Sequence, residues 1–312
     1  MHWRWIRFRQ ALGRKLHWPS RLAHAPVPLD TPTYDGSGQV THPDVLDFGS
    51  PWQGHRFWMV TTPYPFLDDT LENPSILVSQ DGISWQPPVG LTNPLVEAPS
   101  TGFHADPDMI WHRQSGELWL YYLHTIRHDR QYLMRLRSAD GIHWGEPETI
   151  LELPYQTIRS PALLQQGDEI WIWTVNMRDG PKLEFRRSHD GVAWQEVEPV
   201  VLELPGYNPS HIDLIREGTA GPWHMVMQAE PKRGGPNVLF WLVSEDPHHW
   251  RGGRRPLLSP HDAPLWAAQT LYRSSMTLHR DEPFARLWYA GRSPANENRI
   301  AYREVPRSLL HG

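Results

Sequence analysis

The chain has 312 residues, 30 basic against 35 acidic, for a net charge of −5. That near-balance argues against a general nucleic-acid binder, whose footprint is basic. The absence of Cys removes disulfides and thiolate metal sites. With 23 Gly, 31 Pro and 17 Trp, long helices have little room and strands are favoured.

Residues 1–25 stand apart. They carry Arg4, Arg7, Arg9, Arg14, Lys15 and Arg21 and no acid. Trp5, Phe8, Leu12 and Leu16 recur at helical spacing. The segment reads either as a basic amphipathic helix for an anionic surface or as a frayed tail. Basic residues interrupt every apolar stretch, so no secretory signal is expected and the location defaults to the cytoplasm. No apolar run reaches the length of a membrane span. Pro26, Pro28 and Pro32 mark a linker, so residues 1–40 are expected as an extension and 41–312 as the folded body.

The body repeats. Ser79–Trp85, Ser138–Trp144, Ser188–Trp194 and Ser244–Trp250 share Ser, Asp and Trp at fixed offsets, with Gly after Asp in the first three. The tryptophans are 59, 50 and 56 residues apart. Gly supplies a turn and Trp anchors the next strand. Each turn is preceded by three runs of β character. Unit one has 44–48, 57–62 and 74–79; unit two has 106–112, 117–123 and 131–137, with a fourth run at 148–151. Unit three has 161–165, 169–175 and 183–188, and unit four has 211–216, 223–228 and 238–244. Unit five, with 274–279, 285–290 and 299–304, runs out before its turn. Units of this length and strand count predict an all-β fold, a five-bladed β-propeller of four-stranded antiparallel blades around a central channel. Closing the ring needs the segment before His42 or the tail after Glu304.

The first strand of each blade lines the axis. Aligning them puts His42, Asp106, Ser160, His211 and Ser274 in one column. Asp44, Asp108 and Asp213 follow two residues on, on the same strand side. Arg159 and Arg273 flank the column, and Glu72 precedes the third run of unit one. Such a mouth suits glycosidic chemistry, in which one carboxyl protonates the leaving oxygen and another activates water or attacks. Asp106, Asp44, His42 and Glu72 are the expected catalytic residues. Asp108, Arg159, His211, Asp213, Arg273 and Trp58 are expected to bind substrate, with Trp52, Trp111 and Trp266 as further stacking candidates. No protein metal site is assigned and no cofactor is implied, with a channel cation such as calcium as the one exception. His124 and His128 sit at a strand end, where their spacing does not make a metal site.

The blade-opening Xaa-Pro motifs, Ala105-Asp106-Pro107-Asp108 above all, together with the Ser-x-Asp-Gly-x-x-Trp turns, resemble the five-bladed propeller glycoside hydrolases. These include the arabinanases of family 43, the invertases of family 32, the levansucrases of family 68 and the anhydro-galactosidases of family 117. The resemblance covers about residues 40–306. It implies three acids, on blades one, two and three. Here blade two keeps Asp106, blade one has His42 at the base position, and blade three has Arg159-Ser160-Pro161 where a Glu would stand. The resemblance to family 117 lets a His act as the acid. The expected function is a glycoside hydrolase acting on an oligo- or polysaccharide, with no nucleic-acid partner. A carbohydrate-binding propeller without catalysis is the alternative, motivated by His42 and Ser160. A scaffold for protein partners would instead bind no sugar.

Overall fold

The computed structural model describes residues 18–178 and 180–310; the basic stretch therefore lies mostly outside them. Nineteen strands form five sheets. Blade one is β1 (Val40–Trp52), β2 (His55–Pro63) and β3 (Ser75–Ser79). Blade two is β4 (Phe103–His112), β5 (Glu117–Ile126), β6 (Arg130–Ser138) and β7 (Glu148–Pro154). Blade three is β8 (Ile158–Gln166), β9 (Glu169–Asn176), β10 (Lys182–Ser188) and β11 (Glu198–Pro199). Blade four is β13 (Tyr207–Arg216), β14 (Trp223–Pro231), β15 (Val238–Ser244) and β16 (His249–Gly252), with β12 (Val201–Glu203) on its outer edge. Blade five is β17 (Thr270–Thr277), β18 (Phe284–Arg292) and β19 (Asn298–Pro306).

The five-bladed propeller is present, and the number of strands per blade varies. Pairing is antiparallel except for β12, which runs parallel to β16 as the chain crosses from blade three. In blade one a single bridge, Val78 to Gln86, stands in for the fourth strand. Only the outermost strand varies, which in each blade has no further strand to hold it on its outer side.

The Ser-x-Asp turns are compact knots. Asp81 Oδ1 accepts from the N–H groups of Ile83 (2.8 Å) and Ser84 (2.7 Å), and Trp85 Nε1–H donates to the Gly82 carbonyl. Asp140 and Asp190 accept in the same way. Gly141 has φ +76°, and a Cβ there would lie 2.3 Å from the Trp58 ring. The three Asp-Gly turns thus pack onto the core of a neighbouring blade, where only Gly fits, and the fourth has Pro247 in that place, whose carbonyl accepts from Trp173 Nε1.

The apolar core lies between blades. Trp58, Val60, Ile76 and Val78 of blade one meet Met109, Leu118, Leu120, Tyr122 and Leu136 of blade two. The segment before β1 closes the ring against blade five: Leu29 N–H donates to the Ile300 carbonyl, and Arg299 Nη1 to the Ser37 carbonyl. Leu22, Ala25 and Leu310 enter one cluster with blades four and five, so both ends of the described chain seal that seam. Among the described residues no helix is long and apolar enough to cross a membrane.

Candidate functional site: two polar layers on the axis

Every inner strand carries an irregularity at the same height. Register shifts fall between Thr41 and Asp44, Ala105 and Asp108, Arg159 and Ala162, Pro209 and His211, and Leu271 and Ser274. In the first three blades the bulged residue precedes Pro: His42, Asp106 and Ser160 each have φ 51°. A left-handed non-Gly residue before Pro is costly backbone. The Pro has no N–H to offer a ladder and is tolerated at a bulge. The bulges re-aim His42 and Asp106 toward the axis, which is where such devices serve function.

There they meet His211. His42 Nε2 lies 3.1 Å and His211 Nδ1 3.0 Å from Asp106 Oδ1. All three side chains are buried, and His42 Nε2, His211 Nδ1 and Asp106 Oδ1 have no well-aligned hydrogen bond, their nearest polar contacts being one another. The other atoms of the group are held. His42 Nδ1 contacts Thr62 Oγ1 at 3.1 Å, and Asp106 Oδ2 accepts the Ser160 N–H at 2.9 Å. Burial pushes the His42 imidazole down to about 3, against the pull of Asp106. Burial also lowers His211. Burial alone would raise Asp106, but His211 and His42 outweigh it and hold the carboxyl well below its usual range. Neutral imidazoles and an ionised carboxylate are the protonation states a metal ion requires.

The three free atoms lie within 4.8 Å of one another. Metal bonds of about 2.0–2.2 Å put neighbouring donors about 3–3.5 Å apart, depending on the angle between them. The His42–Asp106 and Asp106–His211 separations match. Two imidazoles and one carboxylate suit zinc and its transition-metal neighbours and leave positions open for water and substrate. They do not suit calcium, which takes six to eight oxygens.

Around this trio is a cavity of about 390 Å³. Its wall includes Tyr64, Asp69, Glu72, Arg159, Ser210 and Tyr272, with Phe103, Leu123, Ile158 and Met177 as apolar surface. Asp69 pairs with Arg127. Glu72 is buried, and its Oε1 is 3.5 Å from His42 Nδ1 without a hydrogen bond. Burial, then the Asp106 charge, raises its carboxyl well above the ordinary range. Arg159 Nη1 donates to Ser210 Oγ at 2.9 Å. The Tyr272 ring stands 5.2 Å from His42 and 4.8 Å from His211.

The other expected site residues form a second layer. Asp44, Asp108 and Asp213 converge within 4.8 Å of one another, as anticipated, but do not line this cavity; Asp44 and Asp213 line a different one, of about 450 Å³. A strand rises about 3.3 Å per residue, so two residues along an axial strand is about 7 Å deeper. At that depth each carboxylate ties its blade to the next. Met109 N–H donates to Asp44 Oδ2 (2.6 Å), Leu163 N–H to Asp108 Oδ1 (2.9 Å) and Met276 N–H to Asp213 Oδ2 (2.9 Å). Between blades three and four, where Ala162 has no acceptor, Ile212 N–H donates to Ser160 Oγ at 2.9 Å. Val45 N–H to Ser275 Oγ at 3.0 Å completes the circle. Arg273, with no exposure at all, donates through Nη2 to Asp108 Oδ2 at 2.7 Å and so places the cation of this layer. The catalytic role expected for Asp44 and the substrate contacts expected for Asp108, Asp213 and Arg273 do not fit these positions.

Trp58 is also corrected: it is fully buried in the seam between blades one and two, beneath Gly141, and cannot meet a sugar. Trp52 and Trp111 pack with Phe48 near the far ends of β1 and β4. Trp266 donates to the Ala25 carbonyl and packs on Tyr289. Tyr272 and Tyr64 went unnoticed in the sequence. The bulge between Leu271 and Ser274 shifts which residue of blade five faces the mouth, and a strict two-residue period misses it.

Fold and site together define a five-bladed propeller of the architecture that glycoside hydrolases use, with a His–Asp–His group at the channel mouth. No family model matches the chain. It is 29% identical, over 353 residues, to an A type blood N-acetyl-alpha-D-galactosamine deacetylase of Flavonifractor plautii. That alignment covers 90% of this chain, which spans 44% of the length of the relative. The crystal structure of an N-acetylgalactosamine deacetylase from F. plautii, in complex with blood group B trisaccharide, superposes with a TM-score of 0.85 at 25% identity. It covers 93% of this chain and 97% of that one. A thermostable family-43 glycoside hydrolase matches at TM-score 0.61 and 14% identity, covering 85% and 89% of the two chains. That likeness is one of fold.

Proposed function

We propose that this chain is a metal-dependent hydrolase that removes an N-acetyl group from a sugar. The observation that carries the reading is the trio of buried, unpartnered donor atoms, His42 Nε2, Asp106 Oδ1 and His211 Nδ1, facing one point at the floor of the cavity. The likeness to a deacetylase at TM-score 0.85 supports it. His42, Asp106 and His211 would hold the ion, which when bound supplies Lewis acidity toward water and toward the amide carbonyl.

The chain's own groups do the rest. Ser160 N–H on Asp106 Oδ2 keeps Oδ1 turned to the axis, and Thr62 orients the His42 ring. Such supporting bonds fix ligand direction. Of the three acids on the cavity wall, Asp106 is committed to the trio and Asp69 to Arg127, which leaves Glu72. Glu72 takes a proton from the attacking water and returns it to the departing nitrogen, so that amide and water become amine and acetate. Arg159 reaches sugar hydroxyls from blade three, and Phe103, Leu123, Ile158 and Met177 give the acetyl methyl an apolar wall. Acetate release from N-acetylgalactosamine glycosides, lost after chelation and restored by a divalent transition metal, is the expected outcome. Unchanged release by a fully metal-free preparation would refute the reading.

Glycosidic cleavage is the second reading, favoured by one observation. Glu72 is pushed up and Asp106 down, and carboxyls driven apart in this way serve as acid and base. Free sugar in place of acetate among the products would select it.

A further inference from the structure

The loop between β2 and β3 rises beside the mouth in a costly conformation. It makes two short 3-10 turns, Pro65–Leu67 and Asp69–Leu71. Phe66 and Leu67 at its crest have φ 49° and 70°, both left-handed. Gly or Asn takes that conformation with less strain. Phe66 is also 63% exposed and Leu67 37%, so the crest combines backbone strain with apolar surface in water.

The loop is anchored at both ends. Phe66 N–H donates to Gln39 Oε1 at 3.1 Å, Tyr64 N–H to the Gln39 carbonyl at 3.0 Å, and Asn298 Nδ2 to the Tyr64 carbonyl at 2.7 Å. Gln39 and Asn298 are buried. At the far end Asp68 Oδ1 accepts the Thr70 N–H, and Asp69 pairs with Arg127 of blade two. Tyr64 and Asp69, on either side of the crest, are themselves cavity wall. The exposed pair is therefore held between two residues of the site. Strain kept in place by surrounding bonds, next to a site, points to use.

The cavity adds a size argument. At about 390 Å³ it lies near the lower end of ligand pockets, which run from about 300 to 1,000 Å³. It accommodates the reacting sugar, and the remainder of a longer glycan must leave across the rim. We propose that Phe66, seconded by Leu67, is a ledge that packs against the apolar face of the second or third sugar ring, making the chain selective for oligosaccharides over monosaccharides. The inference rests on the carbohydrate reading above and deepens it.

The test uses the metal-loaded full chain and two ligands: methyl N-acetyl-α-galactosaminide and a trisaccharide ending in N-acetylgalactosamine. Phe66→Ala is expected to lower the ratio of trisaccharide to monosaccharide affinity, measured by calorimetry, about tenfold. Phe66→Gly, which relaxes the backbone, loses the same factor, and Phe66→Tyr restores it. Val89→Ala, at a residue 92% exposed elsewhere, leaves the ratio unchanged. Equal losses for both ligands, or none for the trisaccharide, overturn the ledge; an unaltered ratio would assign the crest to a protein partner instead. Binding governed by Phe66 with no acetate released would keep the ledge and remove the deacetylase reading. A wild-type chain that binds neither ligand removes both.

Discussion

Two layers of polar residues lie on one axis, about two residues apart on the same strands, and they do opposite things. In the upper layer His42, Asp106 and His211 turn unpartnered atoms toward a cavity. In the lower layer Asp44, Asp108 and Asp213 spend their oxygens on the backbone of the next blade. Residue type alone does not separate them, since both are rich in Asp. Which atoms remain unspent does: two imidazole nitrogens and a carboxylate oxygen above, and only guanidinium nitrogens of Arg273 below. A buried polar atom without a well-aligned hydrogen bond is expensive, and three of them gathered beside a cavity are what the proposed metal site rests on.

The contrast can be broken most forcefully at Asp106. Asp106→Ala should abolish metal binding and lower acetate release by about 10²–10⁴-fold, the scale of losing an essential catalytic group. Circular dichroism should still show the strand signature. Retained metal stoichiometry would reverse the assignment of the two layers.

The lower layer should answer in stability. Asp108→Ala leaves the Arg273 guanidinium buried without its carboxylate, and breaking a buried pair costs about 3–5 kcal/mol. Denaturant unfolding should register that loss, and metal affinity per folded molecule should change little. Ser160→Ala is milder. It leaves the Ile212 N–H unsatisfied for about 1–3 kcal/mol while its own N–H still holds Asp106. A loss of metal affinity as large as that of Asp106→Ala would show the layers to be one unit.

A further test is a slope. Burial raises Asp44 to about 6 and, with the Asp44 charge, Asp213 to about 7. The folded chain then keeps protons that the unfolded chain has released, so this contribution is present at acid pH and is lost as pH rises from about 4 to 7. His42, lowered by burial, acts with the opposite sign below its ordinary value. Comparing Asp213→Asn with wild type isolates the carboxyl: the variant should lose less stability between pH 4 and 7. An unchanged difference across that range would contradict the raised value.

Much of the site was legible in the strand periodicity. His42, Asp106 and His211 fell in one column of the repeat, and Glu72 was placed at the mouth. Depth was not legible, because i and i+2 look equivalent on a strand while the axis carries one to the cavity around the trio and the other to the ties between blades. The metal site proposed for the trio is not legible in the sequence for a related reason. No two of its members are near in sequence, so no ligand spacing exists to be read. Trp58 was misjudged because a Trp that stacks on sugar and a Trp that fills a seam are the same letter, and only the Gly141 turn packed over it decides.

The sequence by itself determined the repeat, the β character and the five-fold ring, because turn chemistry and alternation act over a few residues at a time. The tertiary structure alone decided which acids join blades and which face the cavity. That choice depends on where three separate strands bring their bulges together, and on which donors of the neighbouring blade are already taken.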